Sequence, residues 1–182
     1  ALSKAGRWRA AARLAPAATT SARNDPGGAP VAFIASGRVY TDALSGAPVA
    51  GKSKGPVLLV ETDAIPDVVR TELRRLAPAK IVVLGGPATI SSTVESQLDA
   101  YTTGAVERWS GPDRFSTSAM ISQRSYPTGV GTAYIASGRV FTDALSGAPV
   151  AGKNKGPVLL VDTNALPSDI ANELVRLRPG RI

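Results

Sequence analysis

The sequence predicts an α/β protein: tandem, small parallel-sheet βα units with helices on both faces. Three observations lead there. Residues 32–60 return as residues 133–161, with 26 of 29 positions identical at a constant offset of 101. Short apolar runs alternate with helix-like stretches along the chain. The runs themselves, such as VLLV at 57–60 and IVVL at 81–84, are continuously apolar, which suits strands covered on both faces of a parallel sheet.

The elements follow in order. VAFIA (31–35) reads as a strand, followed by the loop SGRVYT. Thr41 or Asp42 is placed to cap a small-residue helix running to about Ala50, with Gly51 as its stop. Pro48 lies inside that segment and predicts a kink or a short first turn. VLLV is the second strand, and Pro66 opens the helix PDVVRTELRRL, whose Val69, Leu73 and Leu76 share one face. KIVVL (80–84) is the third strand and ends in the tight turn Gly85-Gly86-Pro87. Ser91 or Ser92 caps the next helix, and Ser92 with Glu95 has capping-box spacing. AVERW (105–109) is a fourth strand, and GPDRFSTSAMISQ turns into a helix with Asp113 as its cap. The second copy then begins.

Two repeating units follow from this: residues 1–101, with 1–30 divergent, and residues 102–182. Only 8 of the first 30 positions match their counterparts, although Arg7-Trp8 falls on Arg108-Trp109 and Arg13 on Arg114. Rapid divergence, a misread gene start and a disordered or leader-like arm all fit that stretch. Leu76-Ala-Pro-Ala-Lys-Ile81 aligns with Leu177-Arg-Pro-Gly-Arg-Ile182, so the second copy stops within a strand-like run. The sequence therefore reads as a piece of a longer protein.

Composition narrows the chemistry. The 182 residues include no cysteine and no histidine, which removes thiolate catalysis, the usual zinc ligands and the commonest general base near neutral pH. No run of about eighteen apolar residues is present, so no membrane span is expected. The net charge is +7, and +4 of it lies in residues 1–30. The repeated core is nearly balanced, which argues against a specific nucleic-acid partner. Ser45 and Ser146, in DALSGA, lack the G-x-S-x-G elbow, and Gly85-Gly86-Pro87 lacks both G-x-G-x-x-G spacing and a P-loop lysine. Glu61-Thr-Asp63 hints at a carboxylate pair for a metal, but its counterpart Asp162-Thr-Asn164 loses one charge. No catalytic residue, metal or cofactor is expected.

RWSGPDRFSTSA (108–119), then A-x-I-A-S-G-R-V-F-x-D-A-L-S-G-A-P-V-A, G-P-V-L-L-V, a Leu-Pro or Ile-Pro helix start and I-V-V-L-G-G-P-A-T-I-S form one ordered series. This series resembles the bacterial cell wall-binding repeat type 2 family over nearly the whole chain. The resemblance implies a noncovalent anchor of parallel α/β repeats, which usually occur three in a row. It implies a secreted protein held at the Gram-positive cell wall by an anionic wall polymer, with neighbouring repeats and an attached effector domain as further partners. The departure at residues 9–17 puts the first copy's GPDRF segment in doubt. A part of a murein hydrolase of the N-acetylmuramoyl-L-alanine amidase type, or another α/β enzyme, is the alternative.

Seven cationic residues are candidates for polymer binding. Arg38 and Arg139 follow Ser-Gly at a strand's carboxyl end, where open α/β sheets bind ligands. Their guanidinium groups suit phosphate or carboxylate, and pairing with Asp42 or Asp143 is the competing role. Lys52, Lys54, Lys153 and Lys155 follow the small-residue helix, where they complement its dipole or contact the polymer. Arg114 precedes a helix start able to receive an anion. Repetition of such weak contacts raises avidity through effective concentration.

Overall fold

The computed structural model describes residues 28–182; most of the divergent segment read at 1–30 lies outside them. The first sheet contains β1 (Ala32–Ser36), β2 (Val57–Val60), β3 (Ile81–Leu84) and β4 (Val106–Trp109), in the spatial order β2-β1-β3-β4. All of its pairings are parallel. The second sheet pairs β5 (Tyr134–Ser137) with β6 (Val158–Val161), again in parallel. The register repeats with the sequence: Phe33 faces Val57 as Tyr134 faces Val158.

Six α-helices join these strands: α1 (Tyr40–Lys52), α2 (Asp67–Leu76), α3 (Ser92–Leu98), α4 (Arg114–Ser125), α5 (Phe141–Lys153) and α6 (Ser168–Leu177). Alternation along β1 divides the core. Ala32 and Ile34 pack with Val69, Leu73 and Leu76 of α2 and Val94 and Leu98 of α3. Phe33 and Ala35 pack on the opposite face with Val49 and Ala50 of α1 and Trp109 of β4. The expected cover of helices on both faces is present in this sheet.

Several local expectations are corrected. Neither Thr41 nor Asp42 caps α1; Val39 holds the cap position without a side-chain bond, and both residues are buried in the first turn. The helix also runs through Pro48 and past Gly51 to Lys52. Ser91, rather than Ser92, caps α3, accepting from the Val94 N–H at 3.4 Å. Glu95 leaves the expected capping box to pair with Arg108 at 2.8 Å. Asp113 does cap α4, accepting from the Ser116 N–H at 2.8 Å.

The helix α4 leaves the first sheet after β4 and lies against β6 and α6 of the second. Ser118 Oγ accepts from the Leu160 N–H at 3.0 Å, an interior bond that fixes α4 to β6. Ser122 Oγ donates to Glu173 Oε1 at 2.5 Å, and the fully buried Glu173 also receives the Arg176 guanidinium at 2.7 and 2.8 Å. In the first copy the corresponding pair, Glu72 and Arg75, is partly exposed. The repeated helices α1 and α5 pack directly on each other. Their identical TDALSGAPVAGK sequences have different surroundings: Val49 is buried, whereas Val150 is 49% exposed.

Removing one member of a buried ion pair leaves an uncompensated charge, a loss of about 3–5 kcal/mol. Arg176→Ala, which leaves the fully buried Glu173 carboxylate without its cation, should therefore lower the unfolding free energy by several kcal/mol in chemical denaturation. Glu72→Ala should change it by less than about 1 kcal/mol.

Candidate functional site

The turn after each first strand sets the position of the candidate arginines. Ser36 Oγ accepts from the backbone N–H groups of Arg38 and Val39 at 3.1 and 3.2 Å. Ser137 does the same for Arg139 and Val140, at 3.1 and 3.2 Å. Both arginines consequently stand at the carboxyl edge of their sheets. Their acidic partners differ from the expected Asp42 and Asp143. Arg38 Nε donates to Glu61 at 2.7 Å, while Arg139 Nε and Nη2 donate to the two oxygens of Asp162 at 2.9 and 2.7 Å. Register explains the exchange. Ser36 lies beside Val60 and Ser137 beside Val161, so the next residue of the neighbouring strand meets the arginine loop.

The Arg139 fork holds the Asp162 carboxyl down at about 2, helped by the Thr163 N–H. An incoming anion must compete with that carboxylate for Arg139. Arg38 keeps only its Nε contact with Glu61 among its described bonds, and its side chain is 63% exposed. A shallow depression of about 470 Å³ surrounds it. Glu61, the first carboxylate of Glu61-Thr-Asp63, is the one that pairs with Arg38. Among the described residues, no group of three or more acidic, histidine or cysteine side chains is placed to hold a metal.

Arg114, the first residue of α4, reaches the loop after β5, and its Nη1 donates to the Gly138 carbonyl at 2.7 Å. Phe115 beside it lies under the Arg139 guanidinium, 5.9 Å from ring centre to charge. Tyr40 and Phe141, equivalent residues of the two copies, meet with ring centres 5.3 Å apart. Residues from both copies thus join at one edge.

The four lysines stand elsewhere. A helix between parallel strands runs antiparallel to them, so its carboxyl end returns to the strands' amino edge. Lys52 and Lys153 close α1 and α5 there. Lys52 Nζ donates to the Ser125 carbonyl and sits 4.6 Å from the Tyr126 ring centre. Lys54 and Lys155 adopt left-handed backbone conformations, φ 54° and 53°, just beyond those ends. Arginine and lysine candidates therefore occupy opposite edges rather than one cationic surface.

Between the loops after β1 and β3 lies a polar concavity of about 250 Å³, walled by Thr41, Asp42, Gly86, Thr89, Asp113 and Arg114. The spatial order β2-β1-β3-β4 makes this the point where the sheet's connections diverge to either side, the usual ligand position in such folds. Asp42, read from sequence as a cap, is instead a wall of this concavity and only 4% exposed. Gly85 permits the approach: at φ 103°, an added Cβ would stand 2.2 Å from Asp42 Oδ2. Sequence reading treated Gly85-Gly86 as a plain turn and overlooked Thr89. The one available signal was an aspartate kept in both copies of TDALSG.

Burial pushes the Asp42 carboxyl up to about 6, against the opposing effects of the Thr41 hydroxyl and the Arg114 charge. The charged groups at the wall are Arg114 and Asp113; the facing β3 loop contributes only neutral groups. Its counterpart Asp143 is exposed. At the same offset, the partner of Gly85 would fall beyond Ile182.

A duplicated α/β unit with loops gathered at its carboxyl edge matches a class of bacterial surface-binding modules, and the comparisons identify which. The family model for Cell wall binding domain 2 (CWB2) matches residues 7–95 and 108–177. The chain belongs to this cell wall-binding family. The amidase enhancer of Bacillus subtilis (strain 168) is 34% identical over 140 residues, covering 75% of this chain and 19% of that protein. The N-acetylmuramoyl-L-alanine amidase LytC of the same strain is 28% identical over 140 residues, or 77% of this chain and 28% of LytC. The solved structure of Cwp6 from Clostridium difficile superposes with a TM-score of 0.79 at 26% identity, over 95% of this chain and 26% of Cwp6. Cwp8 from Clostridium difficile shares the fold, with a TM-score of 0.72 at 23% identity, over 87% of this chain and 27% of Cwp8. The chain spans less than a third of the length of each relative.

The raised Asp42 carboxyl makes a signed prediction. The folded state holds this proton more tightly than the unfolded chain, so ionisation costs stability above about pH 6. That cost, up to about 3 kcal/mol, is relieved as pH falls from 6 to 4. Asp42→Asn should raise the unfolding free energy at pH 7.5 and flatten its slope between pH 4 and 6.

Proposed function

We propose that this chain anchors a secreted surface protein noncovalently to the Gram-positive wall by binding an anionic wall polymer. Membership of the cell wall-binding family carries the reading, and the match to LytC covers only 28% of that amidase. The binding role belongs to this segment; an effector domain, whether hydrolase or not, belongs to the parent protein. Among the described residues no helix is long and apolar enough to cross a membrane.

Residues 1–101 and 102–182 act as two linked binding units. Arg38, Arg114 and Arg139 at the carboxyl edge are the first contacts proposed for the polymer's charge. Lys52, Lys54, Lys153 and Lys155 form a separate cationic border at the amino edge. Two exchangeable contacts on one chain bind more tightly than either alone, because the second is made at high effective concentration.

The test is co-sedimentation of the full 182-residue chain with purified Gram-positive wall fragments. The chain should pellet with fragments that retain their anionic polymer and stay in solution once that polymer has been extracted. Replacing Arg38, Arg114 and Arg139 together by alanine should weaken retention at least tenfold at low salt, and added salt should narrow the difference. Equal pelleting with extracted and intact fragments would reject the polymer as partner.

A further inference from the structure

One face of α5 carries apolar side chains that nothing among the described residues covers. Thr142, Leu145, Ser146, Pro149, Val150 and Lys153 are all exposed, and their spacing of three and four places them on one stripe of the helix. Leu145 is 55% and Val150 49% exposed. In α1 the same sequence is covered. Thr41, Ser45, Pro48 and Val49 are buried there, and α4 and α5 pack on that helix. A surface that packs inside one copy is thus presented to solvent by the other, and contiguous apolar surface of this kind marks a docking site.

Beside the stripe runs a mainly apolar groove of about 590 Å³ between α1 and α5, with Leu44, Ala47 and Gly51 on one wall and Leu145, Pro149 and Lys153 on the other. Where the two helices touch, Pro48 lies against Gly152: a Cβ added at Gly152 would stand 3.5 Å from the Pro48 Cα. The groove is the open side of that contact. Gly51 and Pro149, the equivalents of the touching pair, both line it, and a Cβ added at Gly51 meets nothing within 4 Å. An identical helix surface finds here the shape that α1 and α5 already find in each other.

We propose that two copies of this chain pair through this face, their α5 helices running antiparallel about a twofold axis and each lodged in the other's α1–α5 groove. Charge selects that occupant and its direction. The helix α5 holds Asp143 in its first turn and Lys153 in its last, and both are exposed. They stand about 15 Å apart along the helix, with Ala148 midway. An antiparallel α5 sets each Lys153 beside the Asp143 of the other copy and opposes the two helix dipoles. A parallel one would crowd like charges together at both ends. The interface is isologous, so it closes at two chains. The same axis turns the arginine edges of the two copies in opposite directions, and a pair therefore presents Arg38 and Arg139 on two sides.

Sedimentation velocity of the full 182-residue chain at low salt, over a series of micromolar to millimolar concentrations, tests the inference. The mean mass should climb from one chain toward two and stop there. Leu145→Glu, at an exposed position, should raise the dissociation constant at least tenfold with an unchanged thermal melt. Asp143→Lys and Lys153→Asp should each pair several-fold more weakly alone. Mixed in equal amounts they should associate again, because each chain supplies the charge that the other lacks. This exchange carries the test if Leu145→Glu fails to fold. A mass of one chain throughout, growth beyond two chains, wild-type pairing by a folded Leu145→Glu, or no gain on mixing overturns the proposal. No wall polymer is present, so the result is independent of the anchoring function.

Discussion

The crossing of α4 from one sheet to the other is the constraint on which the rest of the molecule depends. A parallel sheet has two apolar faces, and neither can be left to water. The strand β4 completes the first sheet, but the helix after it covers the second, with Ser118 bonded to the Leu160 backbone and Ser122 to buried Glu173. This sharing turns two copies of a unit into one packed body. It also places Arg114, at the start of α4, against the Gly138 carbonyl and within the electrostatic reach of both Asp42 and Asp162.

Duplication supplies the same residues twice, but not the same environments. Asp42 lies beneath the β3 loop and Asp143 in the open. The α1 helix is embedded in the core, whereas α5 turns Leu145 and Val150 outward. Burial beneath that loop pushes the Asp42 carboxyl up, because desolvation depends on what packs above it.

The division of cationic groups between opposite edges has a similar origin. Sequence places Arg38 and Lys52 fourteen positions apart, close enough to suggest one surface. The intervening helix runs the length of the sheet, so the arginine stays at the carboxyl edge and the lysine arrives at the other. Arginines at the carboxyl edge are tethered by Glu61 and Asp162.

Much of the fold was legible beforehand. Continuous apolar runs located the strands to within a residue, the Val69-Leu73-Leu76 spacing located the buried face of α2, and the repeat itself located the family. Helix starts were less legible, since Thr41, Asp42 and Ser92 have side chains able to cap, and only the path of the preceding turn decides whether they do. The sequence by itself determined a duplicated parallel α/β architecture and a wall-binding family, because periodicity and ordered motifs are local properties of the chain. Tertiary structure alone decided that Glu61 and Asp162 hold the arginines, that the lysines stand apart, and that Asp42 lines a concavity open to solvent. Those outcomes depend on strand register and on loops distant in sequence meeting in space, and both are fixed only when the two sheets pack around α4.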